Sequence, residues 1–273
     1  MGKFDGILIC TDLDGTLFRN DKTVSRENSE AIEYFKREGG FFTFITGRLP
    51  YYSQDAYNAA KPNVPFGCVN GGGLYDGEAG KYVWQRKMDD GFLPLIEAVD
   101  EKFENVGIQV CTFFKTYFTK ENDTMVNFRR ITGLPNITAD YHTVSEPVAK
   151  ILFGTDVEAE IQAVEKTLRS HPLAEKYDFI RSERKLFEIL PKGVNKGLAL
   201  TKLVEYLKIS PDKTIAVGDY NNDVGMFQAA KLGIAVANAS KVALEAADLV
   251  TVSNEQHALA RIIYDIEAGK LLK

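Results

Sequence analysis

The chain is poor in the residues that staple small folds or hold soft metals. It has three cysteines, one tryptophan and three histidines in 273 residues. Cys10, Cys68 and Cys111 form no Cys-x-x-Cys pair, and an odd, unpatterned set argues against a disulfide framework or a zinc site. Buried thiols are the expectation. His142, His171 and His257 stand far apart in the sequence, and no catalytic role falls to them. Nothing approaches the roughly 18 consecutive apolar residues of a membrane-spanning helix. No lysine or arginine run interrupts a net charge of −5, so neither nucleic acid nor an anionic membrane is expected as a partner. The opening MGKFDG lacks the layout of a cleavable signal, which points to a cytoplasmic protein. There is no internal repeat and no low-complexity tract.

What is present centres on residues 7–17, ILICTDLDGTL. A short apolar run bounded by a turn signal reads as a buried strand. Asp12 and Asp14 follow at once. Carboxylates are seldom left in a core unless paired or metal-bound. The chemistry that suits them is a Mg²⁺ site, because Mg²⁺ takes carboxylate and phosphate oxygens. One aspartate would then be free to attack phosphorus.

Further along, Ser25 caps an expected helix over 26–38, ended by Gly39-Gly40. Residues 41–45 read as a second strand running into Thr46-Gly47-Arg48, and 51–60 as a helix. A third strand over 66–69 precedes Asn70-Gly71-Gly72-Gly73, a glycine-rich stretch that reads as a tight turn. Residues 74–85 look like a hairpin. From about residue 86 the pattern changes to a β-rich block with interleaved helices: a helix over 90–104, strands over 108–113 and 116–119, a helix over 122–131, a strand over 149–154, a helix over 157–170, and strands over 177–181 and 186–190. These strands lack acidic ends. Trp84 is expected at the hinge, and Phe113, Phe114, Tyr117 and Phe118 in the core of the inserted block. Gly193-Val194-Asn195-Lys196-Gly197 then opens a helix, and a strand over 213–217 ends at Gly218-Asp219, followed by Tyr220, Asn221, Asn222 and Asp223. Strand–helix alternation at both ends of the chain predicts an α/β fold, a Rossmann-like parallel sheet with helices on both faces. Inserted in it is an α+β domain. The expected domains are 1–85 with 191–273, and 86–190.

Three strands thus end in polar residues: Asp12 and Asp14, Thr46, and Asp219 with Asp223. Ligands of open α/β sheets bind outside the carboxyl ends of the strands, where these groups would meet. Lys196 near a helix start supplies a compact charge for a phosphate or a carboxylate. Taken singly, a lysine there is ordinarily solvated, and Asn-Asp before a helix is an ordinary cap.

Together, the stretches at 12–16 (DLDGT), 46–48 (TGR), 193–197 (GVNKG) and 218–223 (GDYNND) resemble the haloacid dehalogenase superfamily. The large insertion and Asn70-Gly71-Gly72 are similar to its Cof-type sugar-phosphatase branch, which carries an α/β (type IIB) cap. The resemblance covers nearly the whole chain. It implies a phosphatase in which Asp12 attacks phosphorus and Asp14 protonates the leaving alcohol, then activates water. Mg²⁺ would be held by Asp12, Asp219, Asp223 and the Asp14 carbonyl, with Asp223 binding directly, through water, or orienting the others. Thr46, Gly47, Arg48, Lys196 and Asn222 would line the phosphate and substrate pocket, although Arg48 also fits a plain pairing with a carboxylate. Lys196 and the metal should keep Asp12 ionised, whereas Asp14 needs burial or a neighbouring carboxylate to carry a proton. The implied substrate is a small phosphorylated metabolite, favourably a sugar phosphate, with no obligate protein partner indicated. A phosphohexomutase and a phospho-ligand-binding regulator without turnover are the alternatives.

Overall fold

The computed structural model describes residues 2–272. The chain forms two compact units. One takes the residues up to Gln85 and those from Asn195 onward, and the other is Arg86–Val194.

In the first segment the apolar run makes strand β1 (Leu8–Thr11), buried throughout. Helix α1 (Arg26–Arg37) begins at Ser25, whose hydroxyl accepts the Asn28 N–H at 3.2 Å. Ala31, Ile32 and Phe35 form its buried stripe. Strand β2 (Phe41–Phe44), helix α2 (Gln54–Ala60) and strands β3 (Phe66–Cys68), β4 (Gly73–Asp76) and β5 (Lys81–Gln85) follow.

The inserted unit comprises α3 (Leu93–Asp100), β6 (Gly107–Thr112), β7 (Thr116–Lys120), α4 (Asp123–Thr132), β8 (Val148–Gly154), α5 (Glu158–Arg169), β9 (Tyr177–Glu183) and β10 (Leu186–Pro191). Its sheet is antiparallel, in the order β7-β6-β8-β10-β9. One face, with Ile108, Val110, Ile151, Phe153, Phe187 and Ile189, packs on α3 and α5. Side chains alternate along a strand, so Gln109, Lys150 and Glu188 belong to the opposite face. There Lys150 Nζ donates to Glu188 Oε2 at 2.7 Å, with both side chains almost fully buried.

The chain then adds α6 (Lys196–Leu207), β11 (Thr214–Gly218), α7 (Val224–Ala229), β12 (Leu232–Ala235), α8 (Lys241–Ala246), β13 (Leu249–Val250) and α9 (Ala258–Glu267). The first unit is built on a parallel sheet, β13-β12-β11-β1-β2. Leu8, Cys10 and Ala216 pack with Leu200, Leu203, Met226 and Phe227 of α6 and α7. On the other face α1 and α9 lie together, joined where the Ala260 N–H donates to Asn28 Oδ1 at 3.0 Å. Helices therefore cover both faces, as a parallel sheet requires.

The elements differ from expectation in a few places. β3 does not extend the parallel sheet. Its backbone joins β2 at the Ile45–Gly67 bridge, and it pairs instead in a separate antiparallel sheet, β3-β4-β5. The helix expected over 90–104 is confined to α3, because Pro94 is tolerated only in a first turn. Trp84 packs against the apolar cluster of the first unit. Phe113, Tyr117 and Phe118 are buried, but Phe114, at the tip between β6 and β7, is exposed. All three cysteines are buried and none forms a disulfide. Among the described residues no helix is long and apolar enough to cross a membrane.

Phe35 has no exposed surface, meets the tilted ring of Phe4 with centroids 4.9 Å apart and fills the space where a Cβ at Gly40 would stand. Phe35→Ala is expected to destabilise the first unit by about 3–5 kcal/mol, the range for emptying a packed aromatic site. Urea unfolding followed by far-UV dichroism measures this, and a loss below about 1 kcal/mol contradicts the packing described.

Candidate active site

Because β11, β1 and β2 are adjacent, the residues leaving their carboxyl ends emerge side by side. The Asp12 N–H donates to Val217 O at 2.8 Å and the Ile45 N–H to Thr11 O at 2.9 Å, extending both pairings to the edge. The chain then doubles back, with the Leu17 and Phe18 N–H groups donating to the Asp12 and Leu13 carbonyls at 3.3 and 2.8 Å. Gly15 turns at φ 82°, and a Cβ there would stand 2.6 Å from Asp219 Oδ2. Glycine is thus what lets the carboxylate of the neighbouring strand approach.

Asp12, Asp219 and Asp223 each offer a carboxylate oxygen, all within 4.8 Å of one another. Lys196 sits at the first position of α6, behind the cap Asn195, whose side chain accepts the Leu198 N–H at 3.1 Å. Its Nζ donates to Asp12 Oδ1 at 2.7 Å and to Asp223 Oδ1 at 2.6 Å, with only 1% of the side chain exposed. Asp223 Oδ2 accepts the Asp219 and Tyr220 N–H groups, each at 2.9 Å. Both Asp223 oxygens are therefore engaged, and this buried side chain braces the cluster. Thr16 Oγ1 donates to Asp219 Oδ1 at 2.8 Å.

Burial pushes the Asp12 carboxyl up to about 7, reinforced by the Asp223 and Asp219 charges and opposed by Lys196. Burial also raises Asp219, with Asp223 adding to it and the Thr16 hydroxyl opposing. Burial alone would lower Lys196, but the two carboxylates beside it outweigh that and raise it. Three carboxylates clustered around one ammonium thus leave an excess of negative charge. A divalent cation supplies the missing positive charge, and hard oxygen donors suit it. Asn222 adds to the fit: its Oδ1 is buried without a protein partner, a vacancy for a donor such as a bound water or a substrate hydroxyl.

The Asp14 carboxylate stands outside the trio. Arg48 donates to Oδ2 at 2.7 Å and Lys22 to Oδ1 at 2.9 Å. Partial burial raises this carboxyl, but Arg48 and Lys22 outweigh it and hold it below the usual range. This corrects the expectation of a raised Asp14, because its neighbours here are cations. At Asp12, Lys196 by itself is outweighed by burial and two more carboxylates, which leaves the ionised state expected there to a bound cation.

Thr46 is buried, its N–H donating to Gly67 O at 3.0 Å and its hydroxyl accepting the Arg48 N–H at 3.3 Å. Asp12, Thr46, Gly47, Arg48, Lys196, Asp219, Asn222 and Asp223 all leave the carboxyl edge of the first unit's sheet or the N-terminus of the helix beneath it. Thr16, Lys22 and Asn238 had no part in the sequence reading. Thr16 lies inside the DLDGT stretch and was open to notice. Lys22 is one lysine in a polar loop and carries no signal, nor does Asn238, whose side chain donates to Gly15 O at 2.8 Å.

An acidic trio with a buried lysine at the carboxyl edge of a parallel sheet, in a chain that also carries an inserted α+β unit, marks a class of hydrolases that handle phosphate esters through aspartate. The comparisons give the family. A family model for haloacid dehalogenase-like hydrolases matches residues 9–263, and the chain belongs to that family, in the Cof-type phosphatase branch that carries a cap domain. It is 27% identical over 264 residues to the 5-amino-6-(5-phospho-D-ribitylamino)uracil phosphatase YitU of Bacillus subtilis, an alignment covering 94% of this chain and 96% of that protein. It is 26% identical to the phosphatase YwpJ of the same organism, over 94% of this chain and 98% of that one. A crystal structure of a haloacid dehalogenase-like hydrolase from Bacteroides thetaiotaomicron superposes with a TM-score of 0.83 at 25% identity, covering 95% of this chain and 99% of the other. The aspartate cluster and this membership support phosphatase activity.

Since burial pushes the Asp12 carboxyl up to about 7, a cation binding there is expected to displace a proton. Calorimetry with Mg²⁺ is expected to show proton release, and an affinity that falls by up to roughly tenfold per pH unit as pH drops below that value. An affinity flat across that range, with no proton released, contradicts the raised Asp12 carboxyl.

Proposed function

We propose that the protein is a Mg²⁺-dependent phosphomonoesterase that works through an aspartyl-phosphate on Asp12, with a sugar phosphate or similarly small phosphorylated metabolite as substrate. The observation that carries the reading is the buried Lys196 bridging Asp12 and Asp223 beside Asp219. Asp12 and Asp219 are the carboxylates placed to hold the cation, because Asp223 is committed to Lys196 and two backbone N–H groups. When bound, Mg²⁺ neutralises charge on the phosphoryl oxygens and on Asp12.

Asp12 is the nucleophile. Its Oδ1 is fixed by Lys196, which holds the carboxylate in one orientation and offsets repulsion from an anionic ester. Thr46, Gly47 and Arg48 line the phosphate side, where phosphoryl transfer needs positioning and charge neutralisation more than covalent chemistry. Asp14 acts as acid and then as base. Without substrate its carboxylate is held by Arg48 and Lys22, so a dianionic phosphate that draws these cations away leaves Asp14 better able to carry a proton. Asn222 Oδ1 accepts from a ligand-borne donor.

The preference for a hydroxyl-rich ester draws support from a relative. YitU, by its name, acts on a ribityl phosphate.

Inorganic phosphate release across hexose, pentose and polyol phosphates, nucleotides and flavin phosphate, with Mg²⁺ and with chelator, tests the reading. Chelator-sensitive release concentrated on sugar or polyol phosphates is expected, and Asp12→Asn should lower it at least about 10³-fold. Labelled phosphate that stays on the sugar would show a mutase instead, and ligand binding without turnover a regulator. Lys196→Met is expected to cost a similar factor in kcat and to destabilise the fold by about 3–5 kcal/mol, because it strands two buried carboxylates.

A further inference from the structure

The turn between β3 and β4 is strained. Val69, Asn70 and Gly71 are consecutive and all lie at positive φ, 55°, 52° and 101°. A β-branched valine there is an outlier, and such outliers persist only where their surroundings impose them. Asparagine tolerates this region better than other residues with a side chain. Val69 and Asn70 are both buried. Reversing the chain alone would not demand this arrangement, since Gly72 and Gly73 follow directly.

The contacts show what the turn holds. The Val69 N–H donates to Arg48 O at 2.9 Å and the Asn70 N–H to Thr46 O at 3.0 Å, one on each side of Gly47. The Asn70 side chain lies on Gly47 itself, where a Cβ would stand 2.8 Å from Asn70 Oδ1. On its other flank the turn meets the start of α6. A Cβ at Gly71 would overlap the Asn195 carbonyl oxygen and stand 3.0 Å from the Lys196 nitrogen. One buried turn therefore spans from the 46–48 loop to the residue that bridges Asp12 and Asp223.

We propose that Asn70 is a positioning residue for phosphoryl transfer, clamping the Thr46-Gly47-Arg48 loop at a fixed place relative to Lys196 through its left-handed backbone and its side chain packed on Gly47. The proposal rests on the phosphatase reading above. It acts through other residues: Asn70 sets where the Thr46 and Gly47 backbone and the Arg48 guanidinium stand when a phosphate arrives. A misplacement of about 1 Å at such a loop is enough to cost roughly 10²-fold in rate.

Asn70→Gly separates the two contributions, because glycine keeps the left-handed backbone at no cost and removes only the side chain. Gly47→Ala inserts a methyl group against Asn70. Each variant and the double variant are assayed with Mg²⁺ for kcat, KM, thermal midpoint and affinity for inorganic phosphate. The expected result is an Asn70→Gly protein with a near wild-type midpoint, kcat down about 10- to 100-fold and weaker phosphate binding. Gly47→Ala loses more, and the double variant is no worse than Gly47→Ala, because the methyl group now has room. Wild-type kcat and phosphate affinity in Asn70→Gly, or losses that multiply in the double variant, overturn the proposal. Should Asn70→Gly fail to fold, Asn70→Asp decides: a charge of the same outline beside the loop must weaken phosphate binding about tenfold or more, and unchanged affinity overturns the proposal. A wild-type protein that neither hydrolyses esters nor binds phosphate would instead sink the phosphatase reading and leave the clamp unrequired.

Discussion

The first unit depends on one ammonium placed between two carboxylates. Lys196 has almost no exposed surface and sits at a helix N-terminus, where the backbone dipole disfavours a cation. It is tolerable there only because Asp12 and Asp223 lie within 2.7 Å of it. The dependence is mutual, since among the described residues no other cation forms an ion pair with either carboxylate. Three separate stretches of chain must arrive together for any of them to be stable: the end of β1, the start of α6 and the turn after β11. Much of the surrounding geometry serves that meeting. A Cβ at Gly197 would overlap the Gly225 carbonyl oxygen, so the first turns of α6 and α7 approach as closely as they do through a residue without a side chain.

The cluster also has a charge deficit. One ammonium against three carboxylates leaves excess negative charge in a poorly solvated place, which the raised Asp12 and Asp219 register. The Asp14 environment is the reverse: two residues along, the same turn carries a carboxylate over to Arg48 and Lys22. The two aspartates of one short stretch therefore experience opposite fields, burial and carboxylates at Asp12 and two cations at Asp14.

Much of this was legible in the sequence because it is local or periodic. Strand β1 showed as an apolar run, α1 as a capped amphipathic stripe, and the acidic residues as groups placed just beyond strands. The spacing of four motifs supplied the family. The rest depended on tertiary arrangement. That β3 pairs antiparallel with β4 and is followed by a left-handed turn at Val69 is reported by no propensity. The direction of the Asp14 shift comes from Arg48 together with Lys22, a loop lysine without a pattern. The short α3 was signalled by Pro94 and would have followed from a stricter reading of where proline fits a helix.

The order of the elements bears on how the molecule is made. β1 lies inside the parallel sheet, between β2, which follows soon after it, and β11, some two hundred residues later. During synthesis its first partner emerges early, while its second waits until the whole inserted unit has been translated. The inserted unit is contiguous, so every one of its own contacts is available once residue 194 has left the ribosome. Until β11 and α6 appear, Asp12 stays at an open sheet edge, hydrated and without its lysine. The nascent chain therefore carries Asp12 long before it carries Lys196, Asp219 and Asp223, and only their synthesis completes the cluster.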